Sequence, residues 1–184
     1  MPFTPYHFGP SGFLGLALRR WIDLPVFLLA NVVVDIEVLI FRNYPVHRYA
    51  HTLLIGAAVG AVWGVAAYPL RNYFKSIMEA FGLPYKTGFF KMLLSGVLGV
   101  WLHVLIDAVY HYDVRPLWPF WRRSLHSIIR SYLGYPRHEV IRGYVIGVCV
   151  AFFIAAIVLY VLQVRASIRK SRSAHFRQSV RRPR

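Results

Sequence analysis

Apolar residues fall into four long runs, at 24–41, 50–70, 89–110 and 143–163, and polar or turn-forming residues separate them. Runs of this length read as helices of membrane-spanning size. Ahead of the first run, Thr4 followed by Pro5 reads as a helix N-cap with proline at the first helical position, predicting a short helix through Gly12 to Arg20 with His7 in its opening turn. That helix is too short to span. With 24–41 it forms a hairpin that turns at Arg19 and Arg20 and brings His7 and Asp35 back to one side. The run at 50–70 carries Gly56, Gly60 and Gly64 at four-residue spacing, a stripe on which a neighbouring backbone can approach closely. Residues 71–91, with Gly82, Pro84 and Gly88, read as a polar connection. The run at 89–110 returns to the first side, and 111–141 is a long loop.

Within that loop, 118–133 has helical amphipathicity. On a 100° projection Trp121, Leu125, Ile128, Ile129 and Tyr132 share one arc, and Arg122, Arg123, His126 and Arg130 the other. The pattern predicts a helix lying in the membrane interface. The run at 143–163 has no charge, and the tail after it carries eight Lys or Arg and no acid, which predicts a disordered cytoplasmic segment. The chain therefore divides into one transmembrane helical domain, 1–164, with 111–141 as its interfacial loop, and a basic tail, 165–184. No internal repeat and no separate soluble domain is expected. The first residues lack the positive charge and cleavage pattern of a signal peptide.

Composition settles which solvent the runs meet. Of 184 residues, 57% are hydrophobic and 16% aromatic, too many for the surface of an ordinary soluble domain. The predicted fold class is all-α: a polytopic membrane helical bundle with a short N-terminal helical hairpin, about three full spans and one interfacial amphipathic helix. The 22 Lys and Arg against 7 Asp and Glu give +15. In a multi-spanning chain such an excess points to loops held at anionic lipid, so the lipid bilayer, rather than nucleic acid, is the expected partner. The single cysteine, Cys149, can form no intramolecular disulfide and reads as a packed hydrophobe. Seven basic residues fall on the side of the paired histidines (Arg42, Arg48, Arg115, Arg122, Arg123, Arg130 and Arg137), with Arg142 at the boundary, against fourteen on the other. The positive-inside rule then predicts a cell-membrane protein with its tail in the cytoplasm and the histidines outside.

The ionisable residues of the apolar runs gather at the ends that meet on that side. His47 and His51 are spaced i, i+4, and a helix starting near Pro45 would project both rings from one face. His103 and Asp107 repeat the spacing near the end of a later run. Imidazole and carboxylate are the ligands of zinc and similar ions, and two of them four residues apart on a helix can share one ion. Asp35, near the end of the second segment, is a further ligand candidate, against the alternative that it caps the helix or pairs with Arg42 or Arg48. Glu37 stands roughly 200° from Asp35 on an ideal helix and is the weaker candidate. His111 extends the His103, Asp107 row by four residues and Asp113 follows it; each reads as a ligand, as a group orienting an imidazole, or as a loop residue with no role. His126, His138 and His175 read as interfacial polar groups. The H-R-Y-A-H segment lacks the glutamate of a zincin site, and no Gly-rich phosphate loop, G-x-S-x-G elbow or C-x-x-C is present.

The opening T-P-Y-H, the V-V-V-D-I-E segment, the Y-P-V-H-R-Y-A-H-T block, and H-V-L-I-D followed by R-P-L-W-P-F occur in that order. Together, over roughly residues 1–120, they resemble the family of small inner-membrane, metal-dependent hydrolases that the LexA repressor regulates in some bacteria. The sequence departs from the pattern of that family at Glu37, where a second aspartate is common, and at 48–50, where H-R-G-x-T-H is frequent. The resemblance implies that His7, Asp35, His47, His51, His103 and Asp107 bind metal; from the ligand chemistry the expected ion is zinc, with manganese the alternative, and Glu37, Arg48, His111 and Asp113 are the candidates to surround it. The reaction expected is metal-assisted hydrolysis, in which the ion lowers the pKa of a water toward 7 and polarises the scissile group while Asp35 or Asp107 holds the water. A site opening at headgroup level favours a lipid phosphoester as substrate, with Arg122, Arg130 and His126 holding an anionic phosphate. The competing class is a transporter or channel with a proton or ion relay; clustering at one end of the spans argues against it. A non-catalytic membrane scaffold is the third.

Overall fold

Capping side chains set several of the helix starts in the computed structural model, which describes residues 4–41, 43 and 45–180. A 3-10 turn at Thr4–His7 leads into α1 (Phe8–Ala17), followed by α2 (Leu24–Ile40), α3 (Leu53–Ala67), α4 (Arg71–Ala80), α5 (Phe89–Tyr110), α6 (Leu125–Tyr132) and α7 (His138–Val180). The Asp23 carboxylate accepts from the Val26 amide to cap α2, and the Thr52 hydroxyl accepts from Ile55 to cap α3. The described chain is all-helical. Three helical stretches are long and apolar enough to cross a membrane: Leu53–Ala80, Phe89–Tyr110 and His138–Lys170. The short hairpin α1–α2 packs beside them.

Several boundaries differ from the sequence expectation: α1 ends at Ala17 rather than Arg20, and α7 begins at His138, inside the stretch 111–141 expected to be loop. The helix expected from near Pro45 begins only at Leu53, because Thr52 is the residue whose side chain can satisfy the first free amides; His47 and His51 stand in irregular chain before it. Residues 71–91 are not polar connection throughout. A 3-10 turn at Tyr68–Leu70 passes the helix on to α4, which buries Phe74 and Met78 and leaves Lys75 and Glu79 to solvent. The amphipathic helix is shorter than 118–133: Ser124 caps α6, so Trp121 precedes it. The stretch 165–180, expected to be disordered, continues α7, as Arg, Lys, Ala and Gln can when a helix already leads into them. Arg42 lies outside the described residues, as does the side chain of His175.

Glycine lets the helices close on one another. A Cβ at Gly60 would stand 2.5 Å from the Gly96 carbonyl oxygen, and one at Gly64 would stand 2.6 Å from the Leu93 Cα, so α3 and α5 meet backbone to backbone. Gly99 admits α2 in the same way, at Phe27 and Ala30, and Gly9 admits α7 at the Cys149 carbonyl. Ala30, Val34, Val100, Val104, Ala108 and Val114 form the apolar cluster beneath the histidine end. At the other end Asp23, buried at the start of α2, accepts from the Tyr85 hydroxyl at 2.7 Å and from the Thr87 hydroxyl, while its amide donates to Ser95. Lys91 donates there to the Arg19 and Lys86 carbonyls. The outward faces stay apolar: Val62 and Phe90 are 70% and 80% exposed, as residues bathed in lipid would be.

Candidate metal centre

Five segments deliver the cluster: the turn before α1 brings His7, the last turns of α2 bring Asp35 and Glu37, the 43–52 loop brings His47 and His51, α5 brings His103 and Asp107, and the chain after α5 brings His111 and Asp113. Asp107 is its hub and is fully buried. One carboxylate oxygen, Oδ2, lies 3.0 Å from His103 Nε2 and 3.7 Å from both His47 Nε2 and His51 Nε2. The other, Oδ1, lies 3.1 Å from His7 Nε2 and 3.9 Å from His111 Nε2. Asp35 Oδ1 closes one side, 3.2 Å from His103 Nε2 and 3.5 Å from His51 Nε2.

These distances suit an ion. Ligands about 2.0–2.1 Å from a tetrahedral zinc stand about 3.3 Å from one another. The four contacts linking the imidazoles of His51 and His103 to Asp35 and Asp107 run from 3.0 to 3.7 Å and bracket that value. The Nε2 atoms of His47, His51 and His111 are buried and have no hydrogen-bond partner among the described residues. A buried imidazole nitrogen left in that state loses about 1–3 kcal/mol. Several together form a group that could hold a metal ion.

Carboxylates behind two of the rings fix which nitrogen faces inward. His51 Nδ1 donates to Glu37 Oε2 at 2.9 Å, and His47 Nδ1 donates to Asp113 at 3.0 Å, leaving each Nε2 to the centre, the arrangement of carboxylate–histidine–metal sites. Glu37 also accepts from the Arg48 and Ala50 amides at 2.9 and 2.8 Å, so one side chain shapes the loop and sets a ring. The near-opposite placement of Glu37 and Asp35 on α2 makes this division of labour: Asp35 faces the centre and Glu37 the loop.

Electrostatics follow burial and these partners. Burial disfavours a charged His51, but Asp35 and Glu37, at its two ring nitrogens, outweigh it and raise its pKa. The carboxylates that retain that proton are equally placed to retain a metal cation. Burial also opposes ionisation of Asp113, yet the hydrogen bonds from His47 hold it below the ordinary carboxylate value. Burial pushes His111 down to about 4, so its ring is neutral at pH 7, the form a metal requires.

His7, Asp35, His47, His51, His103 and Asp107 thus come together, and His111 and Asp113, whose roles the sequence left open, join them. Arg48 meets Glu37 through its amide, and its guanidinium lies 4.2 Å over the Phe41 ring. Arg122 is not among the residues of the cluster; with Arg115, Arg123, Ser124 and Ser127 it lines a polar cavity of about 420 Å³. Arg130 is not in that lining; it donates to the Pro136 carbonyl and ties down the end of α6. His126, expected on the polar arc, is turned inward and buried, bonded to the Val109 carbonyl and to His138. Its neighbour Leu125 packs against the core cluster, and that docking carries His126 under the helix.

No curated protein and no solved structure matches the chain. All of α2 to α6, with the loop between α2 and α3, lies inside residues 11–169, the stretch matched by the family model of the YdjM inner membrane protein, and the chain belongs to that family.

Proposed function

We propose that this protein is a membrane-bound, metal-dependent hydrolase that cleaves a phosphoester of an anionic lipid at headgroup level. The observation that carries the reading is the set of buried imidazole and carboxylate atoms spaced as the edges of one coordination sphere, with Nε2 atoms left unbonded. Asp35, His51, His103 and Asp107 would hold the ion, zinc first and manganese as the alternative. A bound divalent ion supplies Lewis acidity and brings the pKa of a water toward 7. Asp107 and Asp35 are the carboxylates placed to orient that water and accept its proton, and Glu37 and Asp113 keep His51 and His47 in the tautomer that ligates. Arg122, with Arg115 and Arg123, supplies the charge that recognises the phosphate. The basic-residue count supports an outer-leaflet position for this end.

The test uses full-length protein purified in mild detergent without chelator. Elemental analysis is expected to find a retained transition metal, and vesicles containing phosphatidic acid or phosphatidylglycerol are expected to release phosphate or headgroup. His51→Ala and Asp107→Ala should each lose ion and turnover, while His138→Ala keeps both. Absence of any ion, with no rebinding of zinc or manganese, overturns the reading. A retained ion without hydrolysis of either lipid overturns the substrate assignment and leaves a metal-binding membrane protein.

A further inference from the structure

We propose that the cluster holds two divalent ions, with the Asp107 carboxylate bridging them. This rests on the reading that the cluster binds metal at all. The ligand atoms fall into two groups, each drawn from residues whose atoms lie within 4.8 Å of one another: Asp35, His51, His103 and Asp107 in one, and His47, Asp107 and His111 in the other. Asp107 is the residue they share: its Oδ2 faces His103, His51 and His47, and its Oδ1 faces His7 and His111. A carboxylate so placed can join ions about 3.5–4 Å apart, the separation of two-metal hydrolytic sites.

One ion leaves donors unused. A tetrahedral ion in the first group takes His51, His103, Asp35 and Asp107 as its four protein ligands, and His47 Nε2 and His111 Nε2 remain buried without a hydrogen-bond partner among the described residues. The His47 and His111 rings lie tilted at 39° with centroids 4.3 Å apart, and the His47 ring is held from behind by Asp113. Nothing in the first group needs that support.

The two groups also differ in kind. Four protein ligands surround the first, which admits a water only as a fifth ligand, whereas three serve the second and leave a position open to it. A cavity of about 10 Å³, room for roughly one water, adjoins the second group between His7, Asp107, His111, Tyr110 and Cys149. The second ion is therefore the one that a water or a phosphoryl oxygen would reach.

The experiment loads chelator-stripped full-length protein in detergent with Zn²⁺ and with Mn²⁺. Two equivalents of zinc per chain are expected by elemental analysis, and the dimanganese form should show an exchange-coupled electron paramagnetic resonance spectrum. His111→Ala should bind one equivalent and give the six-line signal of an isolated Mn²⁺, and Asp113→Asn should weaken the second equivalent 10- to 100-fold with the first unchanged. The wild-type count and spectrum decide the matter even if a variant does not fold. One equivalent in the wild type overturns the proposal while leaving the hydrolase reading intact; two uncoupled ions overturn the bridge; no binding overturns both readings.

Discussion

Glu37 accepts the Arg48 and Ala50 amides and the His51 ring at once, so its charge both shapes the loop and keeps His51 Nε2 inward. Glu37→Gln preserves the volume but offers one acceptor oxygen where two are used. Zinc affinity, measured by competition with a chromophoric chelator, should fall 10- to 100-fold, as it does when such partners are removed elsewhere. Unchanged affinity would mean that the amides alone hold the ring. Individual residues were legible in the sequence to different depths. His103 and Asp107 sit on α5 and meet for the reason that their spacing gave, side by side on one helical face. His47 and His51 also meet, but through Asp113 and Glu37 and without a helix, so the spacing pointed to a contact whose cause lay in residues distant along the chain. Asp113 carried no local pattern that could have revealed its partner 66 residues away.

Whether those side chains meet depends on how closely α3 and α5 approach. Gly56 sits where a Cβ would press the Ala50 carbonyl and Val100 at 3.0 Å, and Gly96 where one would collide with the Gly60 carbonyl. Gly96→Leu should therefore destabilise the fold by about 1–3 kcal/mol or more, the usual cost of overpacking, and lower metal retention by moving His51 away from His103. Thermal unfolding in detergent reads the first effect and elemental analysis the second. Gly147→Ala, where a Cβ meets nothing within 4 Å, is the matched control and should change neither. A Gly96→Leu protein as stable as the wild type would show that the two helices do not need their backbone contact. The glycine stripe and the long apolar runs were readable because lipid imposes run length and small residues mark close approach. The inward turn of α6 was not: an amphipathic pattern shows which face is apolar, and docking on α5 decides how deep the polar face goes. Leu53 donates to the Pro116 carbonyl, and this join across 63 positions pins the post-α5 loop to the head of α3.

Across the whole molecule the buried titratable groups gather at two ends. Asp23 with Tyr85 and Lys91 closes one, the His/Asp cluster the other, and between them the buried polar side chains among the described residues are Ser11 and Asn31, bonded to each other. A proton relay needs titratable groups in that gap, so the distribution favours a site that works at one face over a path through the membrane. Which face it serves rests on the basic residues, which concentrate at the Asp23 end and in the last helix. The test is cysteine accessibility in a Cys149→Ser background, which removes the single native thiol. A cysteine replacing Asn43 should react with a membrane-impermeant maleimide in intact cells, and one replacing Ser173 only after permeabilisation. The site would then draw on lipid of the outer leaflet. The reverse pattern would place the cluster in the cytoplasm and the basic helix outside; it would leave the metal chemistry untouched while moving the substrate to the inner leaflet, where anionic lipid meets the same arginines.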